Sequence, residues 1–279
     1  MLSPRYEGPP IISISGTSDD QFALASRQRR RLESLLAELS GEDWSRSSRC
    51  DHWTVSDVVA HLVGVNTFWH ASLTAGLAGR PTRFLTAFDP AETPAQMVTQ
   101  MRGLAPNELL NQLISTNDAF VETVSGVDEE GSELLAEAPP GYLPIRLVVQ
   151  HALWDCWIHE RDIAIPLGVT TPTEPDEVRS CLVYAAALSP ALAIGCDQRV
   201  AGEFALKVTD PAASYVLDID ETVAVRATER LPAPYLEGDA VTLVEALSLR
   251  TPFPNDAPAE WQQLLGGLVT AFNGETPGR

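Results

Sequence analysis

Residues 151–162 read HALWDCWIHERD, and few arrangements of a chain can accommodate them. Read as one helix at about 100° per residue with His151 at the origin, Asp162 falls at about 20°, Asp155 at about 40° and His159 at about 80°. All four share a narrow arc. Val148, Ala152 and Ile158 flank it, so the stripe does not sit on a plainly solvated face. Burying unpaired carboxylates and imidazoles costs several kcal/mol, of the order of a domain's whole net stability. The four side chains must therefore pair, line a wet cavity or hold an ion.

Metal binding meets this requirement directly. Side chains at i and i+4 project side by side, the spacing that sets two ligands on one helix in known zinc motifs, so Asp155 and His159 can share a divalent ion. A third ligand has to come from elsewhere, and the chain has only five histidines. The remaining candidates are His52, His61, His70 and His151. His52 precedes a helix cap, which predicts exposure. His61 and His70 are nine positions apart, about 180° around a helix, so they cannot both face inward. Val58, Ala60, Leu62 and Val65 surround His61, which makes it the better inward ligand. A set of His61, Asp155 and His159 leaves one position open, as catalytic zinc sites do. In a plainer reading, Asp155 and His159 form a helical pair without metal. His151 and Asp162 then serve as supporting partners, and Trp53, Trp69, Trp154 and Trp157 as core.

Periodicity predicts four long helices in the first 165 residues or so. The first starts near Ser18, where Ser18 and Gln21 suit a capping box, and continues through Leu32, Leu35, Leu36 and Leu39. The second opens at WTVSDVVAHLVGV, with Thr54 as N-cap, Asp57 three positions on, and Trp53 and Val58 placed for a hydrophobic staple. The third covers about 107–125. The fourth runs from about Pro144 to Ile165 and is expected to stop at Pro166. GRPTRF and EAPPGYL read as loops, and the whole as a four-helix bundle. After LGVTTPTEP a helix over 176–194 precedes EFALKVTD, SYVLDID and TVAVRATE, whose period of two marks half-buried strands. DAVTLVEALSL and PAEWQQLLGGLVTAF are helical again. The expected organisation is a flexible leader over 1–17, a bundle over 18–170, and a small α+β domain with an antiparallel sheet over 171–275.

The formal charge of −19, from 38 acidic against 19 basic residues, disfavours nucleic acid and anionic membranes as partners. No apolar run in the sequence approaches the roughly 18 residues of a membrane span. The first residues lack the apolar centre of a signal peptide, so the expected location is cytoplasmic. Cys50, Cys156, Cys181 and Cys196 form no C-x-x-C pair and read as small buried hydrophobes.

Two stretches resemble a known family. GEDWSRSSRCDHWTVSDVVAHLVG is similar to the first signature of the mycothiol-dependent maleylpyruvate isomerase family, with its Trp, Cys and Trp-Thr-Val helix start. WDCWIHERDI resembles the second, an acidic residue four positions before a histidine and an aspartate three after it. The resemblance implies a DinB-like bundle followed by a domain like sterol carrier protein 2, to which GDAVTLVEALSLRTP is similar. It also implies a divalent metal, usually zinc, on His61, Asp155 and His159, with mycothiol as thiol cosubstrate. His151 and Asp162 are then supporting groups, and Arg250 matches an arginine assigned to substrate binding. The isomerase carries glutamate where this chain has Asp155, an arm one methylene shorter.

A thiol bound at the open position of such a metal loses its proton. The thiolate can displace a leaving group, which is S-transfer, or add to a conjugated double bond and leave after rotation, which is isomerisation. The expected partners are therefore a small-molecule thiol and an electrophilic substrate. Two other classes fit the same residues: a metal-binding bundle without thiol chemistry, and a carrier of apolar ligands.

Overall fold

A computed structural model describes residues 2–16, 19–87, 89, 92–198, 201–252, 261 and 265–273. Helices α1 (Gln21–Ala37), α2 (Val55–Leu77), α4 (Pro106–Val124) and α6 (Ile145–Leu167) form the bundle. A shorter α3 (Glu92–Met101), with no counterpart in the periodicity analysis, lies against α2. In α6, 17 of 23 residues are buried, so this helix is covered on every side and its polar stripe faces protein.

The start of α2 follows the sequence closely. Thr54 Oγ1 accepts from Asp57 N at 3.2 Å, while Asp57 Oδ2 accepts from Thr54 N at 2.9 Å, a reciprocal capping box. The start of α1 differs: Asp20 caps it by accepting from Phe22 N and Ala23 N, and the expected cap Ser18 lies outside the described residues. Helix α6 does not stop at Pro166. It continues to Leu167 and ends at Gly168, which takes the left-handed φ of 73° that only glycine adopts without strain. Proline in the last turn removes one N–H, and the carbonyl it would have met, that of Asp162, accepts instead from Arg49 N at 3.0 Å.

The expected loop EAPPGYL is a hairpin, β2 (Leu135–Ala138) with β3 (Gly141–Pro144). Beyond the bundle, α7 (Pro175–Gly195) precedes β4 (Gly202–Thr209), β5 (Ala212–Ile219), β6 (Val223–Ala227) and β7 (Leu236–Gly238). Helices α8 (Ala240–Leu247) and α9 (Gly267–Asn273) close the chain, and most of PAEWQQLL before α9 lies outside the described residues. With β1 (Ile12–Ser15) at one edge, the sheet order is β1-β6-β5-β4-β7. Its three central strands pair antiparallel as expected, but both edges are parallel.

One parallel edge corrects the expectation of a flexible leader. Ile12–Ser15 forms β1 and pairs with β6, with Ile12 and Ile14 buried and the two serines outward. Burying two isoleucines outweighs the entropy of ordering four residues. Helix α7 is long and apolar enough to cross a membrane, yet 83% of its most apolar stretch is buried inside the protein. It is the central core helix, packed on α6, α8, α9 and the sheet.

Glu137 on β2 fastens the N-terminal segment to the bundle. Its fully buried carboxylate accepts from Tyr6 Oη at 2.5 Å, Thr82 Oγ1 at 2.6 Å, and the backbone N–H groups of Phe84 and Leu85 at 2.8 Å each. Glu137→Ala leaves two backbone donors unsatisfied at about 1–3 kcal/mol each. The expected result is a urea midpoint lowered by about 3 kcal/mol of stability, with helix content retained.

Candidate metal centre and cavity

Two helices bring the site together. The capping box fixes where α2 begins, and His61 follows two turns later, buried and facing α6. On α6, Asp155 and His159 lie one turn apart on the face toward α2. His61 Nε2 is 3.8 Å and His159 Nε2 is 3.6 Å from the same oxygen, Asp155 Oδ1. The two imidazole rings meet edge to face at 4.8 Å. These separations are too long for hydrogen bonds. They are close to the spacing of about 3.3 Å between ligands 2.0–2.1 Å from one tetrahedral ion. One donor atom from each of the three residues lies within 4.8 Å of the others. The set of two imidazoles and a carboxylate thus fits a divalent cation in chemistry and in spacing.

His159 is oriented from behind. Its Nδ1 is 3.0 Å from Asp162 Oδ2, which leaves Nε2 facing the cluster, the arrangement in which a carboxylate fixes a metal-binding histidine. Burial would lower the His159 pKa, but the hydrogen bond to Asp162 and the charges nearby raise it to about 10. Burial would likewise raise Asp155, and the histidines around it hold it well below the usual carboxylate range instead. His61, by contrast, is lowered by burial against the pull of Asp155. Its Nδ1 has no partner among the described residues, and its ring rests on Trp53 at 5.3 Å between centroids.

Arg250 and His151 both line the cavity beside the cluster, each held by a partner of its own. Arg250, expected to hold substrate, is committed to Asp162: Nε donates to Oδ1 at 2.8 Å and Nη2 to Oδ2 at 2.7 Å. This bidentate pair takes two of the guanidinium's five N–H donors, and Nη1 donates to the Ser248 carbonyl at 3.0 Å. His151, expected beside His159, turns to Tyr184 instead, with Nδ1 and Tyr184 Oη 2.8 Å apart. Burial lowers its pKa to about 4, so it is neutral. His52 and His70 are exposed.

Periodicity gave no sign of three other contributors. Cys50, half-buried rather than a core thiol, points Sγ at Asp162 Oδ2 at 3.2 Å and lies 3.7 Å from both His159 Nδ1 and Arg250 Nη2. Arg49 donates from Nε to Asp162 Oδ1 at 3.1 Å and from Nη1 to Glu245 Oε2 at 2.6 Å. Glu245 also takes Arg161 Nε at 2.7 Å. The only local hint was the position of Arg49 and Cys50 just before a strong helix cap.

The cluster opens onto a cavity of about 630 Å³. At one end lie the cluster and a polar rim of Arg49, Cys50, Asp51, Ser248 and Arg250. At the other, Phe68, Trp69, Leu85, Met97, Leu188 and Leu192 form an apolar arm. A partly open, mostly apolar cleft with convergent ionisable groups is the usual form of a small-molecule site.

No curated protein matches the chain. The crystal structure of the mycothiol-dependent maleylpyruvate isomerase superposes with a TM-score of 0.58 at 15% identity, over 83% of this chain and 88% of that one. An alanine variant of the same enzyme gives 0.58 at 14% identity, over the same shares. At such identities the likeness establishes the fold. The family model described as the mycothiol maleylpyruvate isomerase N-terminal domain matches residues 25–164. That span includes His61, Asp155 and His159 and excludes Arg250. It covers half of the chain, which therefore belongs to the mycothiol maleylpyruvate isomerase N-terminal domain family.

Proposed function

We infer that this protein is a metal-dependent enzyme that activates mycothiol for S-transfer to a small electrophile, or for its isomerisation. The convergence of His61 Nε2, His159 Nε2 and Asp155 Oδ1 in the lining of one cavity is the observation that carries this reading. His61, Asp155 and His159 would hold the ion, zinc in the first place, as the donor set of two nitrogens and one oxygen suits. A divalent ion there supplies a positive charge that favours the thiolate over the thiol.

The chain's own residues do the rest. Asp162 keeps His159 in the tautomer and orientation that present Nε2 to the cluster. Arg250 and Arg49 keep Asp162 ionised and fixed, and burial among Trp53 and the α2 and α6 side chains limits water around the cluster. The polar rim offers donors and acceptors to the hydroxyl-rich head of a sugar-bearing thiol, while the apolar arm is left for the acceptor. The arm runs into the cluster instead of lying inside the C-terminal sheet, which supports chemistry over simple carriage of an apolar ligand. The likeness of the C-terminal region to sterol carrier protein 2 and a cytoplasmic location belong to the same reading, and both rest on the sequence.

Metal analysis tests the first step. The purified protein is expected to carry about one divalent ion per chain, and a His61→Ala, His159→Ala double variant almost none. Equal, negligible metal in both would overturn the proposal. Mycothiol added to cobalt-substituted protein should produce a sulfur-to-cobalt charge-transfer band, and an unchanged spectrum would remove the thiol from the mechanism. Asp162→Asn keeps the shape but removes the charge behind His159. It is expected to weaken metal binding by about 10- to 100-fold, read by competition with a chromophoric chelator.

A further inference from the structure

We propose that the acceptor in the apolar arm is an uncharged, aromatic-sized electrophile with a hydrogen-bonding group that rests on His151. This deepens the thiol-activation reading above and rests on it for the chemistry, although not for the binding.

The arm follows α2 and α6 away from the cluster. From His61 to Trp69 is eight residues, about 12 Å of helix, and from Asp155 back to His151 is one turn. Trp69, Trp154 and Tyr184 surround the His151 ring at centroid distances of 4.9, 5.5 and 5.1 Å. Such faces favour flat rings through offset and edge contacts. His151 is the ionisable side chain that lines the arm away from the cluster and the rim. Tyr184 fixes the ring through Nδ1, leaving Nε2 as the nitrogen able to meet a ligand.

Among the described residues no cation lines this arm away from the rim, and the buried N–H left unpaired there is that of Trp69 Nε1. The arginines that line the cavity are Arg49 and Arg250, and both are held by other groups. Arg49 is shared between Asp162 and Glu245, and Arg250 between Asp162 and the Ser248 carbonyl. Freeing Arg250 for a substrate carboxylate leaves Asp162, which is fully buried, without its bidentate partner. Asp155 and Asp51 add negative charge to the same cavity. An anionic acid held in the arm would lose hydration and, away from the cluster where an ion would bind, gain no cation.

Chlorodinitrobenzene has the required character. Attack by the thiolate forms a sulfur–carbon bond at the ring carbon bearing chlorine. The carbon–chlorine bond then breaks, chloride leaves with the electron pair, and the thiol proton passes to solvent. Chlorodinitrobenzoate undergoes the same substitution but carries a charge.

The test separates binding from turnover. Without thiol, dinitrobenzene and dinitrobenzoate are titrated into the metal-loaded protein and followed by quenching of tryptophan fluorescence. Dinitrobenzene is expected to bind tighter by about ten-fold or more, since each factor of ten is 1.4 kcal/mol and burying an unpaired carboxylate costs more. His151→Phe keeps the ring and should weaken dinitrobenzene binding several-fold. Leu192→Arg, checked for fold by circular dichroism, should shift the preference toward dinitrobenzoate. Equal or tighter binding of dinitrobenzoate by the unaltered protein overturns the proposal, as does failure of both ligands to bind. The expected preference without turnover of chlorodinitrobenzene by mycothiol would uphold the acceptor class and sink the thiol-activation reading.

Discussion

The buried carboxylate of Asp162 is the interaction on which the site's geometry depends. It has no solvent exposure, yet it receives His159, Arg250, Arg49 and Cys50. A buried carboxylate survives only when such partners offset its desolvation, and here burial, which would raise its pKa, is overcome by His159 and Arg250. Its backbone takes part as well. Because Pro166 has no N–H to give, the Asp162 carbonyl is left for Arg49 N. One residue therefore holds the loop before α2 with both its side chain and its backbone, and so sets where α2 can start relative to α6. The distance from His61 to Asp155 follows from that docking.

This hub also explains what the C-terminal region contributes to a site built on the bundle. Arg250 and Glu245 follow from α8, and Ser248 accepts from Trp154 Nε1 at 2.9 Å. Three arginines, Arg49, Arg161 and Arg250, meet the two carboxylates Asp162 and Glu245 across the boundary. The network is only partly exposed, so its pairs are screened less than surface ion pairs. Strand β1 ties the regions together a second time, since residues preceding the bundle complete the C-terminal sheet. The bundle and the sheet are therefore interlocked, and the face of α6 that carries Asp155 and His159 is held from both.

Local signals made much of this legible. The Thr54–Asp57 box and the stripe on HALWDCWIHERD each involve residues within one or two turns, where helical geometry leaves little freedom. The alternation in EFALKVTD and SYVLDID served equally well. What escaped depended on distant partners. Ile12 and Ile14 alternate with serine as a strand should, but four residues carry too little pattern, and their partner β6 lies at the far end of the chain. Pro166 reads as a helix stop because its effect on the preceding carbonyl is local, whereas the N–H that satisfies that carbonyl comes from Arg49. Cys50 and Arg49 carry no pattern of their own, and they matter only because that docking brings them to Asp162.

The aspartate at position 155 illustrates how such constraints propagate. A carboxylate one methylene shorter than glutamate reaches less far from α6, so an ion would have to sit nearer this helix or draw in another ligand. The two histidine nitrogens stand nearly equidistant from Asp155 Oδ1. His151 is not needed to complete the set and is bound to Tyr184, whose hydroxyl is buried on α7. That partner could not be inferred from the stripe on α6, because it comes from a helix with an almost wholly apolar sequence. The stripe thus divides by function at the first turn. Asp155, His159 and Asp162 belong to the charged cluster, and His151 to the aromatic arm, where a neutral ring fits and a cation would not.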